Sequence, residues 1–84
     1  SLVGVYPAGT LVELDTREVG LVVLESTLDI RRPQVEILYG IQGEKYEEPV
    51  MANLLEKDKN GKYKWTIMKS VSPVEKFQIP EKYL

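Results

Sequence analysis

The shortness of the apolar runs constrains the fold of this chain more than any other feature of its sequence. Residues 10–14, 19–24 and 34–39 are such runs, and each contains β-branched side chains. Runs of this length suit strands, because helices of globular proteins usually need about 10 residues or more. Glycine, proline and polar clusters separate the runs, as turns do between strands. The sequence therefore predicts a mainly β chain.

Alternation within the runs predicts which side chains face the core. Val12 and Leu14 share one face of the first strand, and Val35 and Ile37 share one face of the third. Gly20, inside the second run, indicates a bulge or a close approach of two backbones. The full predicted core is Val12, Leu14, Leu21, Val23, Val35, Ile37, Leu55, Trp65 and Ile67.

Residues 51–71 predict a β-hairpin around Asn60-Gly61, and two registers are open to it. A two-residue loop would place Lys57 opposite Lys64 and another lysine pair beside them, which is unfavourable. A three-residue loop over 59–61 would instead put Gly61 in the left-handed conformation.

The three-residue loop brings opposite charges together across the hairpin. It pairs Asp58 with Lys62 and Glu56 with Lys64, and it places Leu55 opposite Trp65. Opposite charges and apolar pairs stabilise facing strand positions. We therefore expect this second register.

The remaining segments complete the predicted architecture. Residues 40–49 are polar and are expected to form a loop, and Ser72-Pro73-Val74-Glu75 has the form of a helix start. That helix must be short, because Pro80 follows it. About five strands and one short C-terminal helical turn fit a small SH3-like β-barrel. Residues 1–84 are expected to be one such domain, a fragment of a larger protein.

The chain contains no histidine and no cysteine, and this restricts its chemistry. Nucleophilic triads built on either residue are excluded, and so are Cys/His zinc sites. No loop pattern typical of a calcium or magnesium site is present. We therefore expect no catalytic residues, no metal ligands, no cofactor and no enzymatic activity in this chain.

Nucleic-acid binding is the alternative function that the sequence leaves open. Four lysines between residues 57 and 64 are interleaved with Tyr63 and Trp65, a composition found in single-strand-binding barrels. The formal net charge of −2 disfavours it, because such proteins usually have a strongly basic face. Tyr63, Trp65 and Ile67 also alternate, which favours a core-facing strand over a stacking platform.

Arg31 and Arg32 are the candidate contact residues for a partner. They are adjacent and precede Pro33, in a polar segment expected to be a loop. Two guanidinium groups can hold a carboxylate or a phosphate. The alternatives are a solvated loop and a sensor of a small ligand such as a nucleotide.

Cysteine content and hydropathy bear on location. The absence of cysteine fits a reducing compartment, and no basic segment followed by an apolar one begins the chain. No apolar run approaches the roughly 20 residues that span a bilayer. We expect a cytoplasmic chain without a membrane partner.

Three segments of the chain resemble a known family. Residues 6–14 read Tyr-Pro-Ala-Gly-Thr-Leu-Val-Glu-Leu, residues 19–23 read Val-Gly-Leu-Val-Val, and residues 32–37 read Arg-Pro-Gln-Val-Glu-Ile. Together they resemble the segment that follows the catalytic region of bacterial HD-GYP and related HD-domain phosphohydrolases. The resemblance covers residues 4–38. The turn at 16–18 differs from the family's Asn-Gly-like turn, and the hairpin from residue 51 matches no family pattern.

The resemblance implies a location and a class of function. Members hydrolyse cyclic dinucleotides with metal-bound histidine and aspartate residues, and none of those positions lies in this chain. The resemblance therefore implies a non-catalytic regulatory or protein-interaction module at the C-terminal end of a signalling phosphohydrolase. Its expected partner is the HD-type catalytic domain of the same polypeptide or of another protein.

Overall fold

A computed structural model of the chain describes residues 6–72. Its strands are β1 (Leu11–Leu14), β2 (Val19–Leu24), β3 (Gln34–Tyr39), β4 (Lys45–Asn53) and β5 (Ile67–Ser70). They form one antiparallel sheet of five strands in the order β4-β3-β2-β1-β5. The prediction of a mainly β chain is confirmed. The predicted helix start lies, from residue 73 onward, outside the described residues.

The sheet is open, and its two edge strands come from the two ends of the predicted 51–71 hairpin. β4 pairs with β3, while β5 pairs with β1 on the opposite side of the sheet. The prediction of one continuous hairpin over 51–71 is therefore wrong. Within residues 6–72, no ladder joins β4 to β5, and no helix has the length and apolarity needed to cross a bilayer.

The core consists of apolar side chains from four strands and from the segment 54–66, which connects β4 to β5. Its fully buried cluster contains Val12, Leu14, Val22, Val35, Ile37, Ala52 and Leu54. Trp65 and Ile67 are partly buried and pack against this cluster. The predictions for Val12, Leu14, Val35 and Ile37 are confirmed, and Trp65 and Ile67 lie at the core margin.

The predicted inward positions of β2 are wrong by one residue. Val22 is buried opposite Val35, whereas Leu21 is half-buried and Val23 is exposed. Every position of β2 except Gly20 is apolar, so alternation could not choose the inward face. Pairing with β3 makes the choice, and irregularities at both ends of β2 shift the register.

The prediction for the start of the 54–66 segment is also wrong by one residue. Leu54 is fully buried and Leu55 is half-buried, the reverse of the prediction. The amide of Leu54 donates to the Pro33 carbonyl at 3.2 Å. This bond continues the β3–β4 pairing by one residue and turns the Leu54 side chain inward.

Gly20 occupies a position where two strands approach closely, as its place in the sequence predicts. A Cβ at this position would overlap the Val35 side chain and lie 2.9 Å from the Glu36 carbonyl oxygen. The register also shifts between Val19 and Gly20. A larger residue here would separate β2 from β3.

The predicted loop at 40–49 is too long. β4 begins at Lys45, which pairs with Tyr39, and the turn covers 40–44. The Gly40 amide donates to the Glu44 carbonyl at 2.9 Å, and Gly43 has a positive φ of 82°. The polar residues at the start of β4 led to the prediction of a loop. They are compatible with a strand here because β4 lies at the edge of the sheet, where charged side chains are tolerated.

Candidate partner-contact site at the β2–β3 loop

The β2–β3 loop, residues 25–33, has a shape set by its own hydrogen bonds. The Ser26 hydroxyl oxygen accepts from the amides of Leu28 and Asp29 at 3.2 and 3.3 Å. The Arg32 amide donates to the Asp29 carbonyl at 2.9 Å. Such side-chain and turn bonds replace a regular ladder in a connecting segment. They hold the residues that follow in defined positions.

Arg31 extends into solvent and pairs with Asp29. Its Nε and one terminal nitrogen each donate to a carboxylate oxygen of Asp29 at 3.1 Å, a bidentate pair. The Arg31 side chain is nonetheless 73% exposed. Hydrogen bonding by Arg31 lowers the pKa of Asp29, and the same pairing raises the pKa of Arg31. The pair orients Arg31 without removing it from the surface.

Arg32 turns the opposite way and contacts the segment 54–66. One terminal nitrogen donates to the carbonyls of Leu54 at 3.0 Å and Trp65 at 2.9 Å. The other donates to the Thr66 hydroxyl at 3.2 Å. The guanidinium carbon lies 3.3 Å from the centroid of the Tyr63 ring. Arg32 thus links the end of the β2–β3 loop to both ends of the segment that connects β4 to β5.

Three exposed apolar residues lie close to Arg31 in the sequence, and sequence reasoning did not identify them as a surface. Leu24 and Ile30 are exposed, and Leu28 is 85% exposed. Single exposed apolar side chains are ordinary, but several within one short segment indicate a contact surface. Leu28 and Ile30 interrupt an otherwise polar stretch, which was the available signal. We call Leu24, Leu28, Ile30 and Arg31 the loop surface.

A cleft of about 170 Å³ adjoins the loop surface. It is lined by Tyr6, Arg31, Arg32, Thr66 and Ile67. Tyr6 and Ile67 also pack against the core, so this side of the cleft belongs to the stable part of the molecule. The cleft brings both candidate arginines together with residues from the far end of the described chain.

The 56–64 hairpin has the register predicted from charge. The Asp58 amide donates to the Lys62 carbonyl at 2.7 Å, and the Lys64 amide donates to the Glu56 carbonyl at 3.0 Å. Gly61 has a positive φ of 80°. Lys64 Nζ lies 2.9 Å from a carboxylate oxygen of Glu56. The second predicted register is confirmed, and the register with Lys57 opposite Lys64 is wrong.

The aromatic side chains of the hairpin make contacts inside the molecule. The Tyr63 ring, 40% exposed, contacts Arg32, and Lys57 Nζ lies 4.9 Å from its centroid. Trp65 packs against the core. A base stacking on Tyr63 would have to compete with these cations. The arrangement uses both rings for folding contacts.

Neither a search for metal-binding side chains in the described part of the chain nor comparison with known proteins identifies a second site. Across residues 6–72, no cluster of three or more aspartate, glutamate, histidine or cysteine side chains is placed to hold a metal ion. No family model, curated protein or solved structure matches the chain.

Proposed function

We propose that this chain is a non-catalytic module that binds a protein partner through the loop surface. The observation that carries the proposal is Leu28, 85% exposed at the tip of a loop whose shape is fixed. A loop whose backbone is held in place before binding loses little conformational freedom on binding. An apolar side chain in this situation is suited to be an interface anchor.

The energetics support a modest but specific contact. Fully burying one leucine or isoleucine side chain contributes about 1.5–3 kcal/mol. Burial of Leu28 would contribute most of that free energy, because its side chain is almost fully exposed. Leu24 and Ile30, which are less exposed, would contribute a smaller share. Arg31 adds an oriented charge at the rim, and arginine is enriched in interfaces. Interfaces often depend on a few such residues.

We further propose that the module is a small SH3-like barrel attached to an HD-type signalling phosphohydrolase. The pairing of β5 with β1 and the packing of Trp65 against the core support the barrel description. The resemblance of residues 4–38 supports the attachment. On this proposal the HD-type catalytic domain is the partner that covers the loop surface, and the module regulates or stabilises it.

The test measures binding between the labelled 84-residue chain and the HD-type catalytic domain expected in the same gene. Leu28→Ser should weaken binding by about tenfold, because it removes about 1.4 kcal/mol or more of apolar burial. Ile41→Ser is the matched control, since Ile41 is a 66% exposed apolar residue in the 40–44 turn.

The proposal fails if the two variants weaken binding equally or if neither does. A gene that encodes no HD-type domain would remove the attachment to a phosphohydrolase. The loop surface would then need a different partner, found by the same pair of variants.

A further inference from the structure

We infer that the cleft beside the loop surface receives a carboxylate side chain, glutamate or aspartate, from the protein partner. The inference rests on the proposed function and names the chemistry of the partner at one point. Its basis is a difference between the two arginines: Arg31 has an ion-pair partner and, among residues 6–72, Arg32 has none.

Arg32 has no ion-pair partner among residues 6–72, and Asp29, which is bound to Arg31, interacts with it only through space. Its three hydrogen bonds go to two carbonyls and one hydroxyl, and its ring contact is with Tyr63. Among residues 6–72, no carboxylate lies within ion-pair distance of its guanidinium. These neutral acceptors satisfy N–H groups but leave the positive charge in a half-buried position. An anion in the cleft would balance it.

The two acids near the cleft that the structure describes, Asp29 and Asp15, are already engaged. Asp29 is bound to Arg31, which leaves the group of Asp29, Arg31 and Arg32 with a net charge of +1. Asp15 is exposed, accepts from the Thr66 amide at 3.1 Å and does not line the cleft. The whole chain has a net charge of −2, so this positive group stands out from its surroundings.

Thr66 adds a donor suited to an anion. Its hydroxyl oxygen accepts from Arg32 at 3.2 Å, so the hydroxyl proton remains to be donated. Two of the five N–H groups of Arg32 also have no acceptor among residues 6–72. These donors surround one small space with the exposed guanidinium of Arg31.

The size of the cleft fits an amino-acid side chain better than a nucleotide. Its volume is about 170 Å³, below the range of about 300–1,000 Å³ that is usual for small-molecule sites. Tyr6 and Ile67 in the lining suit the methylene groups of a glutamate side chain. On the partner, an acidic residue would occupy the cleft, and apolar residues next to it would cover Leu28.

The test titrates the ¹⁵N-labelled 84-residue chain with a blocked glutamate, N-acetyl-glutamate N-methylamide. Saturable shifts are expected at the Thr66 and Ile67 amides and at the side-chain Nε–H of Arg32. The isosteric blocked glutamine should bind about tenfold more weakly, because it cannot form charge-assisted hydrogen bonds. Shifts that rise linearly without saturation, or equal binding of both probes, would overturn the inference.

Two further arms assign the site. Arg31→Gln should weaken glutamate binding severalfold, while Lys62→Gln, an exposed cation on the hairpin, should not. Inorganic phosphate that bound more tightly than the glutamate probe would overturn the carboxylate assignment. If the glutamate probe fails but Leu28→Ser still weakens partner binding, the cleft inference falls and the proposed function stands.

Discussion

The β2–β3 loop and the 56–64 hairpin both place cations beside apolar side chains, but they use them differently. In the hairpin, Lys64 pairs with Glu56 across the strands and Trp65 packs on the core. In the loop, Arg31 is paired yet exposed, and Leu28 contacts little of the molecule. The hairpin side chains contact the rest of the molecule, whereas Arg31 and Leu28 of the loop are exposed to solvent.

Cation content alone therefore does not show which region has apolar side chains free for a partner. The four lysines of the hairpin favour nucleic-acid binding by composition, but in the structure Lys64 pairs with Glu56 in the register of the turn. The loop has fewer cations and more exposed apolar area. An interface depends on apolar anchors more than on rim charges.

The largest expected effect compares a leucine from each region. Leu54→Ala should lower the free energy of unfolding by about 2–5 kcal/mol, because it leaves a cavity in the core. Leu28→Ala should change it by no more than about 0.5 kcal/mol. Denaturant titrations of both variants measure this. Equal losses would mean that the loop is also part of the core.

The next effect compares the adjacent arginines. Arg32→Ala should lower the free energy of unfolding by about 1.5–3 kcal/mol, because it removes charge-assisted bonds to two carbonyls and a hydroxyl. Arg32→Lys should recover little, since an ammonium cannot reproduce the planar fork. Arg31→Ala should cause a far smaller loss, because its ion pair is exposed. Thermal unfolding that ranked Arg31 above Arg32 would refute the division of roles.

A smaller effect belongs to the hairpin charges. Glu56→Lys places two lysines opposite each other and should cost about 0.2–1 kcal/mol. Adding Lys64→Glu to that variant exchanges the two charges and should restore most of the loss, because the pair is cross-strand. A double-mutant cycle measures the coupling energy. No recovery in the double variant would show that the pair does not stabilise the register.

The smallest effect is electrostatic and concerns Asp29. Arg31 lowers its pKa in the folded chain, so Arg31→Gln should raise that pKa toward its ordinary value. A carboxyl whose pKa is lower in the folded than in the unfolded chain stabilises the fold at pH values above its unfolded pKa. This stabilisation is lost as the pH falls through the folded pKa. The stability advantage of the original chain over Arg31→Gln should therefore vanish on acidification. NMR titration of the Asp29 carboxyl checks this, and an unchanged pKa would contradict it.

Local patterns in the sequence predicted the elements that depend on neighbours in the chain. The register of the hairpin followed from the charges of Glu56 and Lys64, and alternation identified the inward face of β3. The phase of β2 was missed because nearly all its residues are apolar, so only pairing could set it. The two opposite orientations of Arg31 and Arg32 were also missed.

The orientation of Arg32 could not be predicted from the sequence, for a physical reason. Its acceptors lie 22 to 34 residues away along the chain, and two of them are main-chain carbonyls. No side-chain pattern reports the position of a distant carbonyl. The exposed apolar residues of the loop were visible in the sequence, but their exposure depends on the bonds of Ser26.

The contact proposed for the loop surface can be tested by mapping the footprint of the proposed partner, an HD-type catalytic domain, on this chain. Methyl and amide signals of the labelled 84-residue protein are followed by cross-saturation from the partner. The account predicts loss of intensity at Leu24, Leu28 and Ile30, with the hairpin signals of Lys62 and Tyr63 unchanged. A footprint on the hairpin with the loop signals untouched would contradict it.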